Sequence, residues 1–155
     1  MTKILKAVAN LAAGAALLAT SSAALAGTTL NTAESIRKLD IMLMVTSLRC
    51  RMGADDFQPE YRKFSANHLA TLNQASNQLK ADLQRKHGGK GAVRALDKLS
   101  VSMANQYGQG HPWLQCRELK KIASNLAKER NPAQLALAAT NLLEVRRSAT
   151  IAYLD

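Results

Sequence analysis

The chain lacks most of the residue patterns that mark an enzyme or a cofactor protein. It has two cysteines and no Cys-x-x-Cys, which argues against a thioredoxin-like exchange centre. The missing Cys-x-x-Cys-His excludes ordinary covalent attachment of haem. No Gly-x-Ser-x-Gly elbow surrounds Ser100 or Ser102, so a hydrolase nucleophile is not indicated. Of the three histidines, His68, His87 and His111, none lies three or four residues from another, so no helix offers a histidine pair to a metal. Met42, Met44, Met52 and Met103 could be imagined as soft copper ligands, but core packing accounts for them better. The expectation is no metal and no cofactor. No stretch alternates apolar and polar residues over a strand length, and β-branched residues are few, which argues against a sheet. Acidic residues are scarce beside basic ones, 11 against 21, yet no run of five like charges occurs. Internal repeats are absent, and no linker is long enough to separate two domains.

What is present begins with a leader. Lys3 and Lys6 form a positive head, an uncharged run extends from Ala7 to Leu18, and small residues close it through Ser21, Ser22, Ala23 and Ala24-Leu25-Ala26. That order reads as a secretory signal, residues 1–26, cleaved after Ala26. The run is too short and too alanine-rich for a membrane span of about 20 residues. The expected mature chain, residues 27–155, is one domain starting at Gly27, periplasmic or secreted, with no transmembrane anchor. Gly27 is not a cysteine, so no lipoprotein anchor is expected at that terminus. The full chain carries a formal +10, and removing Lys3 and Lys6 with the leader leaves +8. Such an excess favours acidic partners. In an exported chain an even cysteine count implies pairing, so Cys50–Cys116 is the expected disulfide. It closes a loop of roughly 67 residues, worth about 4 kcal/mol in the chain-entropy account.

Beyond Gly27 the glycines and prolines fall in four places: Gly53 to Pro59, Gly88 to Gly91, Gly108 to Pro112, and Pro132. Five segments of helical spacing lie between them. Ile36, Leu39, Leu43, Thr46 and Cys50 stripe the first, about Thr32 to Met52, with Met42, Val45 and Leu48 widening it into a central helix. The second, about Phe57 to His87, carries Tyr61, Phe64, His68, Leu72, Ala75, Leu79 and Leu83, with Asp55 or Asp56 as its cap. The third, about Ala92 to Tyr107, turns Leu96, Leu99, Met103 and Tyr107 inward. Pro112 suits the first turn of the fourth, whose stripe is Trp113, Cys116, Leu119, Ala123 and Leu126. Asn131-Pro132 opens the fifth, with Leu135, Ala138, Leu142 and Val145 inward. The pattern predicts an all-α fold, a four-helix bundle with a fifth helix packed alongside and one disulfide. Short connections make successive helices antiparallel, which brings the end of the first helix beside the start of the fourth. Cys50 and Cys116 stand at those two places, so topology and pairing agree.

The same end collects the unusual residues. Asn105-Gln-Tyr-Gly-Gln-Gly-His-Pro-Trp113 is richer than a helix connection needs, and Arg49 and Arg51 lie nearby. Arg49, Arg51, Tyr107, Gln109, His111 and Trp113 are the candidate ligand- or partner-binding residues, since arginine and aromatic groups carry binding energy at interfaces. A structural role is equally concrete: Gly108 ends a helix, Trp113 fills core beside the disulfide, and His111 caps the fourth helix. His68, between Phe64 and Leu72 on an apolar stripe, needs a hydrogen-bond partner and fits a satisfied core histidine. The opposite end is basic, with Arg85, Lys86, Lys90, Arg94 and Lys98 around Gly88–Gly91. That loop has no interleaved aromatic, which argues against nucleic acid.

The stretches Leu48-Arg-Cys-Arg-Met-Gly-Ala-Asp-Asp-Phe57 and Ser102-Met-Ala-Asn-Gln-Tyr-Gly-Gln-Gly-His-Pro-Trp-Leu-Gln-Cys116 resemble a group of small exported bacterial helical proteins. The resemblance covers most of the mature chain and implies no established activity. Some of that group carry the label S-adenosyl-L-homocysteine hydrolase, an enzyme that needs a Gly-x-Gly-x-x-Gly dinucleotide domain absent from this chain. The architecture is also similar to exported immunity proteins that neutralise cell-wall-cleaving toxins, a likeness at the level of fold alone. The leading expectation is a non-enzymatic periplasmic interaction or binding protein that takes an envelope protein or an anionic ligand. The alternatives are an envelope-acting enzyme with His68 or His111 as general acid or base, and a polyanion binder using the basic 85–98 end. Intact-mass measurement on protein recovered from the envelope fraction is expected to place the new terminus at Gly27; a mass retaining Lys3 and Lys6 would overturn the leader.

Overall fold

The computed structural model describes residues 22–144, and the side chains of 32–143. Residues 1–21 of the expected leader, and Val145 of the fifth stripe, lie outside the described residues. Five helices follow one another: α1 (Ser22–Cys50), α2 (Gln58–Asn67), α3 (Leu69–Tyr107), α4 (Cys116–Leu126) and α5 (Pro132–Glu144). Among the described residues there is no strand, and no helix is long and apolar enough to cross a membrane. The all-α fold is as expected, and so is the Cys50–Cys116 disulfide, with its Cα atoms 5.8 Å apart.

The first helix is the centre of the fold, and α2, α3, α4 and α5 all touch it. Its stripe is buried as the spacing requires: Ile36, Leu39, Leu43, Thr46 and Cys50, joined by Met42. Phe57, Phe64, Leu119 and Leu135 close around it with no accessible surface left on the two phenylalanines. The hydroxyl of Thr46 donates to the Met42 carbonyl at 2.6 Å, and Ser47 donates to Met44 at 2.8 Å, so both buried polar groups are satisfied within the helix. Leu48 departs from expectation. It is 46% exposed, because the core occupies the other side of α1.

The expected second helix is two helices. The chain bends at His68, whose backbone leaves helical geometry between α2 and α3. The bend is held from outside: Asn67 Nδ2 donates to the Ala127 carbonyl at 2.7 Å, and His68 Nε2 to the Leu126 carbonyl at 2.8 Å. Those are the orphan acceptors at the end of α4. At the start of α2 the N-cap position falls on Phe57, not on Asp55 or Asp56 as expected; Asp56, one residue further out, still accepts the Gln58 N–H at 2.9 Å.

Helix α3 reverses direction at Gly88. Tyr61 reaches Asp40 on α1, and Ser100 reaches Arg37 one turn away, so the chain between Tyr61 and Ser100 travels out and returns. Gly88 alone breaks the helix, at φ 71° and ψ 172°, a region open essentially to glycine only. The expected loop of four residues is thus a single residue, and the arms 69–87 and 89–107 form a helical hairpin. Close by, a Cβ added at Gly91 would stand 2.9 Å from that of His87. Helix α5 opens as expected, with Asn131 Oδ1 accepting the Ala133 N–H at 2.9 Å ahead of Pro132. Gly88→Ala is expected to cost about 1–3 kcal/mol in chemical denaturation, whereas Gly53→Ala, whose Cβ would meet only ordinary contact distances, is near neutral.

Candidate functional site

The disulfide fixes the end of α1 to the start of α4, and residues 108–115 arch over the joint. Gly110 carries φ +105°, and the Arg49 side chain lies on it: a Cβ there would stand 3.2 Å from Arg49 Nε. Helix α4 starts later than expected. Pro112 stays in the arch, Gln115 is the N-cap residue, and Glu118 Oε2 accepts the Gln115 N–H at 2.8 Å. The cause is His111. Its Nδ1 accepts the Leu114 N–H at 3.2 Å and, more weakly, the Trp113 N–H at 3.5 Å, which folds residues 111–114 into a turn instead of a helix start.

His111 is 8% exposed and sits among aromatic rings. The Tyr107 ring stacks on it at 5.9 Å, and Trp113 meets it edge to face at 4.7 Å. Because Nδ1 accepts, the ring proton belongs on Nε2. That nitrogen is buried without a hydrogen bond of ordinary geometry among the described residues. Burial pushes the imidazole below its usual pKa, while the Leu142 carbonyl and the Glu118 carboxylate act in the opposite sense. Burial also pushes Tyr107 up to about 12.

A cleft of about 160 Å³ opens beside the disulfide, lined by Thr46, Arg49, Gln109, His111 and Gln115, with Leu119 at its base. Four of the six candidate residues thus meet around it by lining or stacking, Arg49, Gln109, His111 and Tyr107, and Trp113 joins through its contact with His111. Arg51 does not line the cleft and stands exposed in the turn after α1. Near it, Asp55 pairs with Arg117 at 3.8 Å. His68 is remote in role. It is buried, packs 5.1 Å from the Phe64 ring and donates to the end of α4.

A second polar cluster was not anticipated. Tyr61 donates to Asp40 Oδ1 at 3.1 Å, Arg37 approaches Asp40 Oδ2 at 3.5 Å, and Arg37 Nη2 reaches Ser100 Oγ at 3.5 Å. Burial raises the Asp40 pKa, partly offset by the Tyr61 hydroxyl and by Arg37. Tyr61 is pushed up to about 12 by burial and by the Asp40 charge. The only sequence signal was a charged pair, Arg37 and Asp40, among the buried positions of α1. A larger cavity of about 300 Å³ between α1, α3 and α5 is lined by apolar residues such as Ala33, Ile36, Ala75 and Ala136 and by threonine and glutamine side chains, with no titratable side chain on its wall. Among the described residues, no group of three or more His, Cys, Asp or Glu side chains could hold a metal ion.

Comparison of the chain with protein-family models, with curated proteins and with solved structures gives no match.

The depressed pKa of His111 makes stability depend on pH. Near its usual value of 6.5 the unfolded chain takes up a proton that the folded chain refuses, so stability present above that value is lost as pH falls through it. Thermal unfolding is expected at a lower midpoint at pH 5.5 than at pH 7.5. His111→Asn, whose side-chain oxygen can accept the same backbone N–H groups, is expected to show a smaller drop; an unchanged drop would exonerate His111.

Proposed function

We propose that the chain is exported to the cell envelope and acts there as a non-enzymatic binding protein, using the disulfide end as its contact surface. The leader pattern supports export, and a disulfide is the bond an oxidising compartment maintains. The observation that carries the binding role is the cleft over the disulfide. Arg49 and Gln109 offer donors at its mouth, and half-buried Trp113 supplies an aromatic surface, all on a frame tied by a covalent bond and by the buried His111. A small anionic or amide-bearing group suits that lining, because a guanidinium and a carboxamide can hold it together.

An acid–base role for either histidine gains no geometric support. His68 commits Nε2 to the Leu126 carbonyl, and His111 commits Nδ1 to the backbone and buries Nε2. The test is retention of envelope extract on immobilised wild type beside an Arg49→Ala/Trp113→Ala variant of unchanged helicity. A protein or glycan identified by mass spectrometry on wild type alone supports the reading. Equal retention on both removes the disulfide end from it.

A further inference from the structure

The helical hairpin ends in a basic tip at the opposite end of the bundle from the disulfide. Along its second arm Lys90, Arg94 and Lys98 recur every four residues and are all exposed, so they share one outward stripe. Among the described residues none of the three has an ion-pair partner. The acid nearest the tip on the first arm is already engaged: Asp82 pairs with Arg85 and with Lys86, each at 3.0 Å. Exposed Asp97 beside Lys98 is the one acid within the stripe's span. Two apolar side chains flank the cations, Val93 at 48% and Val101 at 57% exposed. A charged stripe with apolar residues beside it suits a surface that is anionic outside and apolar beneath, as a lipid headgroup layer is.

The place of the stripe in the bundle follows from the helix lengths. Thr32, Ala33 and Ile36 of α1 share a cavity wall with Thr71, Ala75 and Gln78 of the first arm. From that level α1 continues ten residues back to Ser22, and the first arm continues ten residues on to Gly88. At about 1.5 Å per residue both reach the same height. The basic tip therefore lies at the end of the bundle where α1 begins. A net charge of +8 on the expected mature chain disfavours a second copy as the occupant.

We propose that the second arm of α3 docks on an anionic lipid bilayer through Lys90, Arg94 and Lys98, with Val93 and Val101 against the headgroup layer. This proposal is independent of the disulfide-end reading. The test is co-sedimentation of the purified protein with vesicles of phosphatidylglycerol and phosphatidylcholine, beside vesicles of phosphatidylcholine alone. Binding to the anionic vesicles only, weakening as salt rises, is expected. Lys90→Glu/Arg94→Glu/Lys98→Glu is expected to weaken it by about a hundredfold or more. A control with the same change in charge elsewhere, Arg62→Glu/Lys63→Glu/Lys121→Glu, is expected to lose far less; circular dichroism shows that both variants remain helical. Three results would overturn the proposal: no sedimentation with anionic vesicles, equal loss in both variants, or retention on sulfated dextran without vesicle binding, which assigns the stripe to a soluble polyanion.

Discussion

The burial of α1 is the constraint on which everything else rests. Leu39, Met42 and Leu43 have no accessible surface, and each such side chain contributes about 2 kcal/mol relative to exposure. No single neighbour covers them. The helix is enclosed because α2 and the first arm of α3 run against it in one direction, the second arm returns, α4 descends and α5 ascends. Helical segments that are individually short or weakly amphipathic gain their order from that common axis. Leu48 and Met44 stand outside the enclosure, and they show where the ring of helices stays open.

The two ends of this enclosure are built by opposite means. At the disulfide end the chain crosses from α3 to α4 through eight residues, held by a covalent bond, a histidine acting as a local acceptor and a stack of three rings. At the other end it turns on one glycine, and residues 84–90 around that turn are all exposed. The first end therefore has an interior and can shape a cleft. The second, among the described residues, presents an exposed, largely basic surface, which suits electrostatic contact more than a shaped pocket.

Much of the fold was legible in the sequence because its breaks are local. Gly88, Gly108 to Pro112 and Asn131-Pro132 mark chain direction by backbone chemistry alone, and the cysteines confirmed which ends meet. The bend at His68 was not legible. No glycine or proline stands there, the apolar stripe runs on from Phe64 to Leu72, and the bend is stabilised by carbonyls 58 and 60 residues away. Pro112 misled for a related reason: proline favours a helix start, but His111 claims the next N–H groups first. Of the candidate site, the residues of the arch and Arg49 came together, while Arg51, adjacent in sequence to Cys50, lies outside because the helix ends there. The Arg37–Asp40–Tyr61–Ser100 cluster depends on contacts across 21 and 63 residues and leaves almost no local trace.

Trp113 is the only tryptophan in the chain, and its ring lies 4.7 Å from the ring of His111. The protein thus carries one indole fluorophore, built into its most structured surface. Excited at wavelengths beyond the absorption of the three tyrosines, its emission is a label-free optical report on that arch alone. Protonation of the imidazole or displacement of the arch changes the surroundings of a single emitter, so spectroscopy on the unmodified chain reads out local events that a global unfolding curve averages away.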